Sequence, residues 1–112
     1  MMQPTAVSIN DVSPSEVVVI RYKEPVQILD VRTSTEFEEG HLPMALNIDY
    51  YGSQFEKNLN ELDHSIPVIV YCRSGKRSYN TAQKMRKMGF RSIFNLEGGI
   101  LEWVSQGYST TK

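Results

Sequence analysis

The segment Cys72-Arg73-Ser74-Gly75-Lys76-Arg77-Ser78 joins a continuous apolar run at residues 66–71 to a helical pattern that starts at Arg77 and holds Ala82, Met85 and Met88. That order predicts strand, loop and helix, with Cys72 at the carboxyl end of the strand. In open α/β sheets ligands bind at this junction, and a helix N-terminus presents unsatisfied N–H groups to an anion. Gly75 can take a positive φ, so successive amides can curl around the cysteine sulfur as an anion-binding nest. Arg73, Lys76 and Arg77 add fixed positive charge. Helix terminus, amides and cations all favour thiolate over thiol, which predicts a lowered pKa and a nucleophilic sulfur. An ordinary thiol is only about 3% ionised at pH 7, and a downward shift of roughly two units raises the reactive fraction about 25-fold. Part of that gain is offset, because nucleophilicity falls with pKa. The opposing reading is a small buried hydrophobe that ends a strand. It gives no reason for a glycine and three cations within the next five residues.

The flanking pattern supplies the elements that would hold this loop. Residues 6–9 read as a short extended segment, and Ser13-Pro14-Ser15-Glu16 is a capping box with proline at the first helical position, opening a helix to about Tyr22. Residues 26–31 form an apolar run, residues 34–39 a polar turn of helix closed by Gly40, and residues 45–48 a further strand. Residues 51–62 have helical length, with Phe55, Leu59 and Leu62 on one face. The run at residues 66–71 suits a strand buried on both faces of a parallel sheet. A helix over residues 77–88 capped by Gly89, a strand at residues 92–96, and a helix over residues 100–105 after Gly98-Gly99 complete the alternation. Strands alternating with helices predict an open, five-stranded α/β sheet.

With 112 residues, 40% hydrophobic and 22% charged, the chain reads as one domain over residues 1–112, its core at about residues 6–106. The lone cysteine excludes an intramolecular disulfide, suggests a reducing, cytoplasmic setting, and with two distant histidines, His41 and His64, offers no zinc constellation. The start of the chain has no basic region followed by an apolar run, and no stretch approaches the roughly 20 apolar residues of a membrane span. A net charge of −1 gives no global pull toward nucleic acid or anionic membrane. Locally, however, seven of the twelve Lys and Arg residues lie between Arg73 and Arg91 with no acidic residue among them. That predicts a basic face beside the loop, either a solvated helix surface or a docking surface.

The cysteine loop resembles the active-site loop of rhodanese-type sulfurtransferases. Leu29-Asp30-Val31-Arg32 with Glu36-Phe37, then Gly40-His41-Leu42-Pro43 with Ala45 and Asn47-Ile48, is similar to the family's N-terminal signature, and Asn95-Leu96-Glu97-Gly98-Gly99-Ile100 with Trp103 to its C-terminal one. The resemblance covers residues 29–103 and implies a rhodanese-like three-layer domain, a mostly parallel five-stranded sheet with helices on both faces. It implies that Cys72 accepts a sulfane sulfur from thiosulfate or a related donor as a persulfide and passes it to a thiophilic acceptor such as cyanide or a thiol, with no metal or organic cofactor. Arg73, Ser74, Gly75, Lys76, Arg77 and Ser78 would form the substrate cradle, with Lys76 and Arg77 attracting the dianion and stabilising departing sulfite. A protein sulfur acceptor in a relay is the alternative destination. One departure is Met44, where the family commonly has a glycine, which bears on the turn before the third strand.

Asp30, Arg32, Glu36 and His41 could be read in isolation as partners in a Cys/His/Asp triad. The family resemblance, and the habit of short polar side chains at strand ends of satisfying local backbone, assign them structural roles. A cysteine-dependent phosphatase or arsenate reductase would also set a thiolate at a helix N-terminus. Those enzymes resemble a Cys-x5-Arg pattern that needs arginine at position 78, where this chain has Ser78 and closes a shorter loop with Arg77. A thioredoxin-like reaction lacks its resolving cysteine.

Overall fold

A computed structural model describes residues 7–112. Along the chain run β1 (Ile9–Val12), α1 (Pro14–Lys23), β2 (Gln27–Asp30), α2 (Ser34–Glu38), β3 (Ala45–Asn47), α3 (Phe55–Asn60), β4 (Val68–Tyr71), α4 (Lys76–Lys87), β5 (Ile93–Leu96) and α5 (Gly99–Ser105). β4 is apolar and buried at all four positions, so it lies inside the sheet, whose order is β1-β5-β4-β2-β3. All pairings within the sheet are parallel, as the unbroken apolar character of β4 predicts.

Period-two alternation along β4 divides the core. Val68 and Val70 face Phe55 and Leu59 of α3 and Ala82 and Met85 of α4, while Ile69 and Tyr71 face Val17 of α1 and Ile100 and Trp103 of α5. Helices therefore cover both faces, giving three layers. Cys72, next in the chain after Tyr71, belongs to the α3/α4 face. Trp103 is 2% exposed, and its indole N–H donates to the Ser109 carbonyl, closing the chain's last turn onto α5.

Several boundaries differ from the sequence expectation. The first strand lies at Ile9–Val12 rather than residues 6–9, and Ala6 is outside the described residues. Polar Asn10 and Asp11 are tolerated there because β1 is an edge, paired only with β5, and Asp11 accepts a hydrogen bond from Asn95 of β5. The helix expected over residues 51–62 shortens to Phe55–Asn60 because a turn precedes it, in which the Asp49 side chain accepts from the Tyr51 amide and its carbonyl from the Gly52 amide. The Ser13/Glu16 capping box forms as expected. A second box, Thr33 with Glu36, starts α2.

The turn at Met44 keeps the backbone a glycine would adopt. The Ala45 amide donates to the Leu42 carbonyl at 3.1 Å, Pro43 occupies the second position, and Met44 sits at φ 70° with its side chain exposed. These are the features of a type II turn, whose third position requires positive φ. Asp30, 0% exposed, holds the buried Arg32 guanidinium at 2.7 Å, and Arg32 also donates to the Gly40 carbonyl. His41 stacks on Phe37 at 3.7 Å and is 2.9 Å through Nδ1 from the Phe37 carbonyl oxygen, and its backbone pairs with Thr111. Each of these residues ties the β2–β3 connection together. No helix among the described residues is long and apolar enough to cross a membrane.

Candidate active site

β4 ends at Tyr71, the chain turns through residues 72–75, and Gly75, at φ 122°, serves as the N-cap of α4. A β-carbon is disfavoured at that φ, so glycine is what allows the loop to close within four residues. The closure brings the Gly75 amide to 3.1 Å from the Cys72 sulfur. Ser78, fully buried in the first turn of α4, places its hydroxyl 3.4 Å from the same sulfur and 3.1 Å from the Gly75 carbonyl. One hydroxyl proton serves one acceptor at a time, so this donor is shared between thiolate and loop.

The electrostatics follow. Burial pushes the Cys72 thiol up, since the residue is 1% exposed, but hydrogen bonds from the Ser78 hydroxyl and from the Ser78, Gly75 and Ser74 amides outweigh it. The net pKa lies below the ordinary thiol value. A thiol whose pKa is lowered this way is ionised to a greater extent at neutral pH than an ordinary one.

The three loop cations separate into two kinds. Arg73 and Lys76 are exposed and have no ion-pair partner among the described residues. Arg77 reaches instead across to α2, where it grips Glu36 through two hydrogen bonds of 2.8 and 3.0 Å, its guanidinium carbon 6.0 Å from the centre of the Tyr51 ring. Its guanidinium, hydrogen-bonded to Glu36, holds that carboxyl down at about 2, against desolvation and with help from the Thr33 amide. The reciprocal hydrogen bond strengthens Arg77's hold on its proton, with Cys72 among the charges that favour it.

Two contacts escaped the sequence reading. Besides capping α2, Glu36 engages the cysteine loop through Arg77. The acidic residue in a Glu-Phe pair offered no local sign of a partner 41 residues away. The second is the start of α5. The Ile100 amide donates to the Cys72 carbonyl at 2.9 Å and the Leu101 amide to the Arg73 carbonyl at 3.2 Å. Gly99, at φ 61°, permits this approach, since a Cβ there would fall 2.5 Å from the Cys72 carbonyl oxygen. The Gly98-Gly99 pair is thus the floor on which the loop rests, and the doublet itself was the available signal. Among the described residues no group of three or more His, Cys, Asp or Glu could hold a metal ion.

Comparison with known proteins agrees with this geometry. YqhL, an uncharacterized protein of Bacillus subtilis, is 43% identical over 77 residues, covering 69% of this chain and 60% of that protein. YrkF of the same organism, named as a candidate sulfur carrier, is 35% identical over 74% of this chain but 44% of its own length, so the chain spans three fifths or less of these two relatives. The thiosulfate sulfurtransferase GlpE of Shewanella oneidensis is 29% identical over 86% of this chain and 93% of that protein. A crystal structure of a rhodanese-related protein from Thermoplasma volcanium superimposes with a TM-score of 0.81 over 91% of this chain and 97% of its own, at 24% identity, a likeness of fold. Residues 13–106 match the Rhodanese-like domain family. That match runs from the N-cap of α1 to the C-cap of α5, taking in the cradle, the sheet that carries it and the glycines beneath it, and the chain belongs to the rhodanese-like domain family.

Proposed function

We propose that this protein is a sulfurtransferase that carries a sulfane sulfur on Cys72. The observation that carries the reading is the Gly75 amide at 3.1 Å from a buried sulfur whose pKa is lowered, with the Ser78 hydroxyl beside it. The cradle is closed upon a sulfur atom. In the first half-reaction the Cys72 thiolate attacks the outer sulfur of thiosulfate, the donor's S–S bond breaks, and sulfite leaves with the bonding pair. Arg73 and Lys76 at the loop mouth draw in the dianion and offset charge on the leaving sulfite. The product is a Cys72 persulfide, whose terminal sulfur receives the same cradle. In the second half-reaction a nucleophile attacks that terminal sulfur and Cys72 departs as thiolate. With cyanide the product is thiocyanate. The cycle is balanced, a double displacement through a covalent intermediate.

Carriage of the persulfide to a protein acceptor is the second reading, favoured by the similarity to YrkF. A phosphatase or arsenate reductase is disfavoured by Ser78, which stands where those loops place arginine and which here donates to the sulfur itself. A single thiol of this kind fits a reducing cytoplasm. The test is intact-protein mass spectrometry after exposure to thiosulfate, with Cys72→Ser and a thiol-reductant wash as controls. The expected result is a reversible gain of one sulfur atom that Cys72→Ser abolishes. An unmodified wild type that hydrolyses a phosphate ester instead would overturn the proposal.

A further inference from the structure

Seven cations occupy residues 73–91 with no acidic residue, leaving five cations to face all thirteen acidic residues in the rest of the chain. Two of the seven are neutralised, Arg77 by Glu36 and Lys84 by Glu56 at 3.1 Å. Arg73, Lys76, Arg86, Lys87 and Arg91 are all exposed, with no ion-pair partner among the described residues. Lys76, Tyr79, Arg86 and Lys87 are related by three-, seven- and eleven-residue steps (76 to 79, 79 to 86, 76 to 87), so they share one side of α4, with Tyr79 46% exposed between the charges.

This stripe is too long for the small-molecule reaction. A helix of 12 residues is about 18 Å long. Arg86 and Lys87 at its far end therefore lie beyond a Debye length of roughly 8–10 Å from the cysteine, as does Arg91, which precedes the strand residue paired with the start of β4 while Cys72 follows its end, and all three are screened from a dianion bound there. Charges at that distance act on something large. A long polyanion fits poorly, because the remaining surface is strongly acidic and repels a phosphate backbone that runs past the helix. A compact acidic patch fits the stripe.

Resting on the sulfurtransferase reading, we infer that the exposed face of α4 docks an acidic protein surface that presents a thiol, and that this thiol is the sulfur acceptor. Docking aligns the partner's cysteine with the loop mouth at the amino end of α4. The partner's thiolate attacks the terminal sulfur of the Cys72 persulfide, the Cys72 S–S bond breaks, Cys72 leaves as thiolate, and the partner becomes the persulfide. Sulfur moves without net oxidation of the pair. Tyr79 supplies the aromatic anchor common at the centre of such interfaces.

The test uses short synthetic peptides that hold one cysteine among glutamates, among glutamines or among lysines, with thiosulfate as donor and peptide persulfide read by mass. The glutamate peptide should exceed the glutamine one about tenfold in kcat/KM at low salt, and added salt should erase the advantage. The triple variant Arg86→Glu/Lys87→Glu/Arg91→Glu should lose the preference while its thiosulfate-to-cyanide turnover stays within about twofold of wild type. Equal transfer to all three peptides, or a preference that survives charge reversal, overturns the docking assignment. So does tighter binding of single-stranded RNA than of the glutamate peptide carrying serine for cysteine, both read by fluorescence anisotropy. A wild type that binds the serine peptide but transfers no sulfur even to cyanide sinks the sulfurtransferase reading, and the acceptor assignment with it. Transfer to cyanide without peptide preference refutes docking alone.

Discussion

Ser78→Ala removes the one side-chain hydroxyl that donates to the Cys72 sulfur while keeping the Cβ and the helix turn. A hydrogen bond to a charged acceptor contributes about 1.5–3 kcal/mol. The Ser78 hydroxyl lies 3.4 Å from sulfur and divides its proton with the Gly75 carbonyl, so the lower end of that range applies. At about 1.4 kcal/mol per unit, the Cys72 pKa should rise by about one unit. Cys72 is the chain's only cysteine, so the rate of alkylation by iodoacetamide against pH reports on it alone. The midpoint of the acid limb should move up by about one unit, and the alkaline plateau should rise roughly threefold because a more basic thiolate is intrinsically more nucleophilic. Thr81→Ala removes another buried hydroxyl, one that donates to the Arg77 carbonyl, and should leave the midpoint in place. A stability signature accompanies the shift. The folded-state pKa is depressed, so the thiolate stabilises the fold above the unfolded thiol value and that contribution is lost as pH falls through the folded value. Ser78→Ala should narrow this window. A midpoint in Ser78→Ala that matches wild type, or that falls, refutes the assignment of the hydroxyl as thiolate donor.

Glu36→Gln keeps an acceptor for the Thr33 cap but discharges the partner of Arg77. Since Glu36 is held down at about 2, its contribution is present above an ordinary carboxylate pKa near 4.5 and is lost as pH falls from there toward 2. Because the pair is partly open to water, screening reduces the effect to about 1 kcal/mol, to be seen by urea denaturation at pH 7 and to vanish near pH 2; an equal loss at both would show a different cause. Met44→Gly should stabilise by about 0.5 kcal/mol, since relief of the left-handed backbone exceeds the added entropy of the unfolded chain, whereas Met44→Ala should change little. A destabilised Met44→Gly would sink the turn assignment. Lys76→Gln should raise KM for thiosulfate several-fold with little effect on stability, and Arg77→Gln should do the reverse, because Arg77 is held by Glu36 while Lys76 is unpaired. Steady-state kinetics with a melting curve separates them, and a larger KM effect from Arg77→Gln would refute the division.

What could be read from the sequence was local. The loop is seven contiguous residues, so the glycine and the serine that donate to Cys72 lie within six positions of it. β4 was equally plain, because burial on both faces demands an unbroken apolar run. β1 was displaced toward the N-terminus because Asn10 and Asp11 look like loop residues until the side chain of Asn95, 84 positions later, is seen to reach Asp11. The Met44 departure raised the right question, and Pro43 before it held the answer, since a proline at the second position followed by positive φ defines the turn whatever side chain follows. Charge was the property least legible in one dimension. Arg73, Lys76 and Arg77 look equivalent in the chain, yet a carboxylate 41 residues earlier claims Arg77 and leaves its neighbours open to solvent. The same asymmetry recurs along α4, where Glu56 takes Lys84 and the rest stay unpaired. Pairing across the α2–α4 and α3–α4 contacts thus removes charge from one flank of the helix, and the unpaired Lys76, Arg86 and Lys87 lie on the other, from the loop mouth to the far end of α4. A basic segment becomes a directional one through tertiary contact, and that direction is what a small donor has no use for and a macromolecular acceptor does.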